Sequence, residues 1–400
     1  MIIPHDKFCV LPWISLEASP LGTVRPCCLA KDEIVDDLGH KIRVDQTPLV
    51  EIQNSSYMQQ LRNQFLSGQQ PNTCQRCWDE EKSGRVSKRM NTLDRLKHIV
   101  GDQPWTTDAK PLMFLDLKLG NICNLKCRIC GSWSSSTFAA EDIRSLPRHQ
   151  RKTSWYYEAL HQGAWPRTSD KFWAEMKAVS TDIRYLEFTG GEPFMIEQHF
   201  DLLRMLIQLG VAQQVEIHYN TNGTQYPEFA EEIWQHFKTV EIAFSIDDVS
   251  QRFEYQRSGA DWHTVNHNIS RFKSLRDRNT NVTLQVCSTV SAFNVFNLES
   301  LASWIDQQGF DFVYWNVLHD PYYLSVCALP QHIKCAAEQY LMACQASSKH
   351  KQEFENIIGF MRQGESLDGS QLRQRILELD ARRGETVSSV IPELSSRLMT

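Results

Sequence analysis

Three cysteines fall within eight residues in CNLKCRIC, 123 to 130, at x3 and x2 spacing. A structural zinc site takes four protein ligands, usually as two pairs, and no fourth cysteine or histidine lies near this stretch. A cubane iron–sulfur cluster held by three thiolates keeps one iron open, and an open iron can bind a substrate or cofactor directly. Of the 12 cysteines in the chain, a second set gathers at Cys9, Cys27, Cys28, Cys74 and Cys77, while Cys287, Cys327, Cys335 and Cys344 are scattered. Thiols grouped at short spacing in a reducing compartment read as metal ligands, not bridges. The second set can supply four thiolates either to a second cluster or to a zinc ribbon, with Cys27 and Cys28 interchangeable at this level. The 13 histidines form no HxH or HExxH spacing, which leaves a histidine metal site without support.

The elements that must position these groups follow from periodicity. Between about 111 and 318, β-rich runs alternate with amphipathic segments such as EQHFDLLRMLIQLG, the pattern of βα units around a parallel sheet. Strands are predicted over 112–119, 184–190, 214–221, 240–247, 282–290 and 311–318. Six such units make an open barrel or a doubly wound sheet, and in both cases chemistry gathers at the C-terminal ends of the strands. The cysteine triplet follows the first strand at that end. Residues 1–90 have few periodic runs and would gain from a metal staple. Residues 91–110 read as a linker, 145–182 as an irregular insertion, and 321–400 as a helical extension whose polar end, from 384, is expected to fray.

Three segments add to the triplet. FTGGEP (188–193) ends the second predicted strand, YNTNG (219–223) the third and FSIDD (244–248) the fourth. Paired glycines let the backbone pass close to a ligand, and Glu192 offers a carboxylate to an ammonium group. With these, Cys123, Cys127 and Cys130 resemble the CxxxCxxC signature of the radical SAM superfamily. The resemblance implies a partial (β/α)6 TIM-like barrel. It also implies a [4Fe–4S] cluster on those three cysteines whose open iron chelates S-adenosylmethionine, and one-electron cleavage of that cofactor to a 5′-deoxyadenosyl radical. Gly190, Gly191 and Glu192 match the motif placed against the methionine amino group; Asn220, Asn222, Ser245 and Asp247 match segments that contact ribose and carboxylate. Ile129 stands where the family commonly has an aromatic residue. The stretches 8–28 and 71–81 look like the auxiliary-cluster module called SPASM or twitch, here ahead of the barrel, which assigns Cys9, Cys27, Cys74 and Cys77 to one auxiliary [4Fe–4S] cluster.

The function this implies is radical oxidation, either dehydrogenation or cross-link formation, of a peptide, protein or small metabolite, with an external one-electron reductant of the flavodoxin or ferredoxin type. Cys327, just beyond the sixth strand, raises a redox-neutral alternative in which a thiol returns a hydrogen atom and leaves an epimerised centre. Against that stands the ordinary role of a lone cysteine as a small packing residue. A third reading is a non-catalytic, metal-stabilised binding protein. The formal charge of −6 and the absence of a Lys/Arg block give no basis for a nucleic-acid partner. The N-terminus lacks a signal-peptide pattern and no apolar run approaches the ~20 residues of a membrane helix, so a cytoplasmic protein is expected.

Overall fold

The computed structural model describes residues 3–101, 104–344 and 349–399; Asp102 and Gln103 of the expected linker lie outside them. The ten strands are β1 (Ser15–Ala18), β2 (Val24–Arg25), β3 (Phe114–Leu117), β4 (Lys126–Cys127), β5 (Tyr185–Phe188), β6 (Glu216–Thr221), β7 (Thr239–Ser245), β8 (Arg257–Ser258), β9 (Val282–Val290) and β10 (Phe312–Val317). All six predicted barrel strands are present, as β3, β5, β6, β7, β9 and β10. Eight strands form one sheet in the order β10-β9-β7-β6-β5-β3-β1-β2, parallel except for the β1–β2 pair. Strand β9 alternates buried and half-buried residues along its length, as a strand with one packed face and one face on a lumen must.

The sheet does not close on itself, and the N-terminal segment spans the gap. On one edge β1 pairs in register with β3, Ser15 to Phe114 through Ala18 to Leu117. At the other edge the Arg85 guanidinium donates to the Trp315 carbonyl of β10, and Glu80 lies 3.7 Å from His319 just beyond it. Contact of one segment with both edges requires the sheet to curl. Strand β1 of the N-terminal region is therefore part of the barrel wall.

The helix Lys88–Val100 starts behind Ser87, whose side chain accepts from the Met90 N–H, a standard N-cap. It lies along the inner face of the sheet. Lys88 pairs with Glu187 of β5 (2.7 Å), Arg95 with Glu241 of β7 (2.6 Å) and His98 with Glu216 of β6 (3.1 Å). Glu17, Asp116, Glu187, His218 and Glu241 are consecutive register partners across β1, β3, β5, β6 and β7. Neighbours in register on parallel strands point to the same side, so this charged row lines the lumen.

Two expectations are corrected. The segment 145–182 is ordered helix, not irregular chain: Trp155–Gln162, Trp165–Thr168 and Asp170–Val179 follow the helix Ser136–Ser145. Ser154 and Ser169 cap two of them, and the buried Trp165 and Phe172 rings meet edge to face at 4.8 Å; the caps were the signal to read. The chain end does not fray either. Val387–Val390 and Pro392–Leu398 are helical, and Ile391 and Leu394 are fully buried. Among the described residues no helix is long and apolar enough to cross a membrane.

The C-terminal helices grip the cysteine loop through Arg128. This fully buried side chain pairs with Asp380 at 2.6 Å and with Glu385, and stacks on Tyr255 at 3.6 Å. Replacing Arg128 by Met should destabilise the chain by about 3–5 kcal/mol, because two carboxylates lose their partner in a dry setting; urea denaturation measures it, and a loss under 1 kcal/mol, read at about the precision of such titrations, would refute the role. A second outcome concerns His199, buried against Phe188, Phe200 and Tyr219, where burial lowers its pKa from 6.5 to about 3. Between those values the unfolded chain holds the extra proton. Stability from the neutral ring is therefore complete above pH 6.5 and is lost as pH falls, by about 1.4 kcal/mol per pH unit. His199→Leu should flatten the pH dependence of denaturation below pH 6.5 by that slope.

Candidate functional site

The loop after β3 carries Cys123, Cys127 and Cys130, and three neighbours set its path. The helix Ser136–Ser145 begins under it: Thr137 Oγ1 donates to the Cys123 carbonyl (2.6 Å), and Ser135, its cap, donates to the Leu125 carbonyl (2.6 Å). The short ribbon of β4 with β8 pairs Cys127 with Arg257. Arg257 Nη1 reaches the Cys127 sulfur at 3.8 Å while Nη2 pairs with Asp247 at 2.7 Å. Burial pushes the Cys123 thiol up to about 12. A hydrogen bond from Cys130 lowers Cys127 to about 7 against the opposing effect of burial, with Arg257 adding to the drop.

The glycines of FTGGEP do their work against protein. A Cβ on Gly190 would meet the Lys118 side chain at 2.4 Å, and one on Gly191, at φ +63°, would meet the Ile122 carbonyl at 2.5 Å. The Glu192 N–H donates to that carbonyl at 2.7 Å. The close approach expected of this turn is thus to the cysteine loop itself, and it fixes the two loops together. The Glu192 carboxylate, fully buried, accepts from Thr221 Oγ1 (2.7 Å), the Asn222 N–H (2.7 Å) and the Phe194 N–H (3.3 Å). Burial outweighs these bonds and raises it to about 7. Four lone-pair positions on a carboxylate leave room for one more donor.

Asn222 donates to Asn124 Oδ1 (3.1 Å) and to the Cys123 sulfur (3.9 Å), so the third strand's end also touches the triplet. Asn220 is half-buried with its Oδ1 unpartnered. Asp247 accepts from the Thr289 N–H (2.8 Å) in addition to Arg257. Ser245 ends β7 beside Cys287 of β9, and Ile129 is half-buried against the core. Arg257, Thr221 and Asn124 escaped the sequence reading. Only Arg257 left a trace there, as a cation next to a Ser-Gly turn.

The second cysteine set converges as well. Cys9, Cys27, Cys74 and Cys77 line one cavity, otherwise walled by Leu11, Phe65, Lys88 and Arg89 among others. Burial raises Cys27 to about 11 and Cys9 and Cys77 to about 12. Cys28 points elsewhere, toward Asp116 and Glu187. Tetrahedral zinc at its usual bond length needs sulfurs about 3.8 Å apart, yet among the described residues no three cysteine sulfurs lie within 4.8 Å of one another. The four cysteines around one cavity are the donor set that a [4Fe–4S] cluster takes. Cys327 is buried under the C-terminal helices, its thiol on the Phe360 carbonyl (3.4 Å), which is a packing environment.

Sequence comparison agrees with this geometry. The model of the radical SAM superfamily matches residues 117–307 and that of an iron–sulfur cluster-binding domain, SPASM, matches residues 9–78. No curated protein sequence matches the chain significantly. Among solved structures it is similar to native anSMEcpe with bound AdoMet and Cp18Cys peptide, at 14% identity over 59% of this chain and 60% of that one, with a TM-score of 0.36. It is also similar to Streptococcus suis SuiB bound to S-adenosylmethionine, at 12% identity over 86% and 71%, with a TM-score of 0.35. SuiB bound to precursor peptide SuiA aligns at 14% identity over 64% and 56%, with a TM-score of 0.32. The chain thus spans about three fifths of the anSMEcpe length, and likeness this loose bears no weight on function. The matched models give the chain a radical SAM core over residues 117–307 with a SPASM module ahead of it, domains whose cofactors are S-adenosylmethionine and [4Fe–4S] clusters.

Proposed function

We propose that the chain oxidises a substrate held in the barrel lumen, by dehydrogenation or by cross-link formation. In this reading Cys123, Cys127 and Cys130 hold the first cluster and Cys9, Cys27, Cys74 and Cys77 the auxiliary one. Residues 1–90 form the auxiliary module, 91–110 the linker, 111–320 the core and 321–400 the extension. When bound, the first cluster and S-adenosylmethionine supply a 5′-deoxyadenosyl radical. Glu192, with a lone pair to spare, receives the methionine ammonium. Gly190 and Gly191 keep that carboxylate against the cysteine loop, while Asn220, Asn222, Ser245, Asp247 and Ile129 line the rest of the cofactor's path.

The observation that carries the oxidative reading is a shared wall. Lys88 lines the four-cysteine cavity and also donates to Glu187 in the lumen (2.7 Å). In this reading the auxiliary site lies one side chain from the lumen, which supports electron transfer from a substrate radical to the auxiliary cluster. Module-bearing members of the family include enzymes that modify ribosomally made peptides, enzymes that mature other enzymes and some that oxidise amino-sugar alcohols, so a peptide or protein is the first substrate class to test, with a small metabolite as the other. The reductant is an external flavodoxin or ferredoxin.

Anaerobic reconstitution should give roughly eight irons per chain. Cys123→Ala should lose about four of them and all release of 5′-deoxyadenosine, whereas Cys74→Ala with Cys77→Ala should lose about four while the nucleoside is still released and product is not. Cofactor consumed one for one with product supports oxidation; turnover without net consumption, with solvent deuterium in the product, would replace it by the redox-neutral reading.

A further inference from the structure

The lumen holds a constellation that neither cluster uses. Glu17, Asp116 and Glu187 stand side by side on β1, β3 and β5. Lys118 bridges Glu17 Oε1 (2.8 Å) and Asp116 Oδ1 (3.1 Å), Thr189 donates to the same Asp116 oxygen (2.9 Å), and Lys88 donates to Glu187 Oε2 (2.7 Å). Cys28 turns its thiol into this row. One donor atom each from Cys28, Asp116 and Glu187 lies within 4.8 Å of the other two, the one such grouping of His, Cys, Asp and Glu among the described residues. A second observation points to a ligand: Asp116 is 1% exposed, and its Oδ2 is buried with no partner. A buried carboxylate oxygen left without a partner is costly, and a ligand would relieve it.

Charge balance states what would satisfy it. Three carboxylates against the Lys88 and Lys118 ammonium groups leave one negative charge. A metal takes a cysteine as its thiolate, which makes two, and a divalent cation cancels both. The lysines occupy Asp116 Oδ1 and Glu187 Oε2 and leave the other oxygens free, as hydrogen-bonded outer partners of metal carboxylates do. One thiolate with two carboxylates suits a borderline ion better than magnesium or calcium, which take oxygen alone.

We propose that Cys28, Asp116 and Glu187 form a mononuclear site for a borderline divalent cation, of the zinc or ferrous class, in the barrel lumen. Three protein ligands leave a coordination position for water or a substrate donor, as in catalytic zinc sites. The site requires only that Cys27, and not Cys28, belong to the four-cysteine cavity.

Cobalt(II) is the probe. The full chain is loaded anaerobically with both clusters, kept in their oxidised, EPR-silent state, given cobalt and desalted. About one cobalt per chain should remain with a high-spin EPR signal, and Cys28→Ser and the near-isosteric Asp116→Asn should each weaken its retention about ten-fold or more with iron content unchanged. Cys27→Ser should do the reverse, losing iron and keeping cobalt. The proposal is overturned if the parent chain retains no cobalt, if both variants retain it, or if Cys28→Ser loses about four irons, which would make Cys28 a cluster ligand. Absence of iron from the parent chain would instead strike the cluster assignment.

Discussion

The parallel pairing of β1 with β3 is the constraint on which the rest of the structure depends. It makes four residues of the N-terminal segment part of the barrel wall, and so delivers Cys9, Cys27 and Cys28, which flank that strand, to the barrel. A parallel pair needs a crossover, and here the crossover is long enough to contain Cys74, Cys77 and the helix Lys88–Val100. Because that helix must return to β3 across the inner face, the lumen's lower part is filled by protein. The first cysteine loop lies at the C-terminal ends of the strands.

A lumen filled in this way cannot be packed with Val, Ile and Leu in layers, as a closed barrel's centre is. Its register row is charged, and Lys88 and Arg95 of the helix and Lys118 beyond β3 face its carboxylates. Burial pushes Glu241 up, yet His218 and Arg95 together bring it down to about 2. Buried pairs of this kind add little net stability once desolvation is counted, while losing one partner is costly. Their effect is therefore on alignment: a slip of β5 by one residue would put Glu187 on the other face and strand Lys88. The same lysine that fixes this register also lines the four-cysteine cavity.

Much of this was legible in the sequence because the barrel strands are β-rich runs bounded by turn residues, and because CNLKCRIC, FTGGEP and YNTNG each sit at a strand end. What was not legible is what tertiary contact decides. SLEA, the four residues of β1, has no periodicity to betray a strand, and only its partner β3 makes it one. Cys27 and Cys28 are chemically alike and adjacent; the backbone path after β2 sends one to the cavity and the other into the lumen. Arg128 lies between two motif cysteines, and nothing near it in the sequence points to Asp380 and Glu385, some 250 residues away by sequence number, which close over it. The helices within 145–182 were hidden by short length, since each depends on a serine cap and an aromatic contact more than on a long apolar stripe.

The protonation of the two cysteine sets shows how a chain can fold before it is loaded. Cys9, Cys27, Cys77 and Cys123 are all pushed upward by burial, so at neutral pH they are thiols, which behave as small apolar groups and tolerate walls of Leu11 and Phe65. Ligation requires the thiolate and releases these protons. A buried anion then needs compensation, and each set has a cation already in place: Lys88 and Arg89 at the four-cysteine cavity, Arg257 at Cys127. Arg257 is itself anchored on Asp247 and Arg89 on Glu81, so neither must be recruited from solvent when charge appears. The walls are thus apolar enough to be stable empty and cationic enough to accept a charged cluster, and the same few side chains supply both properties.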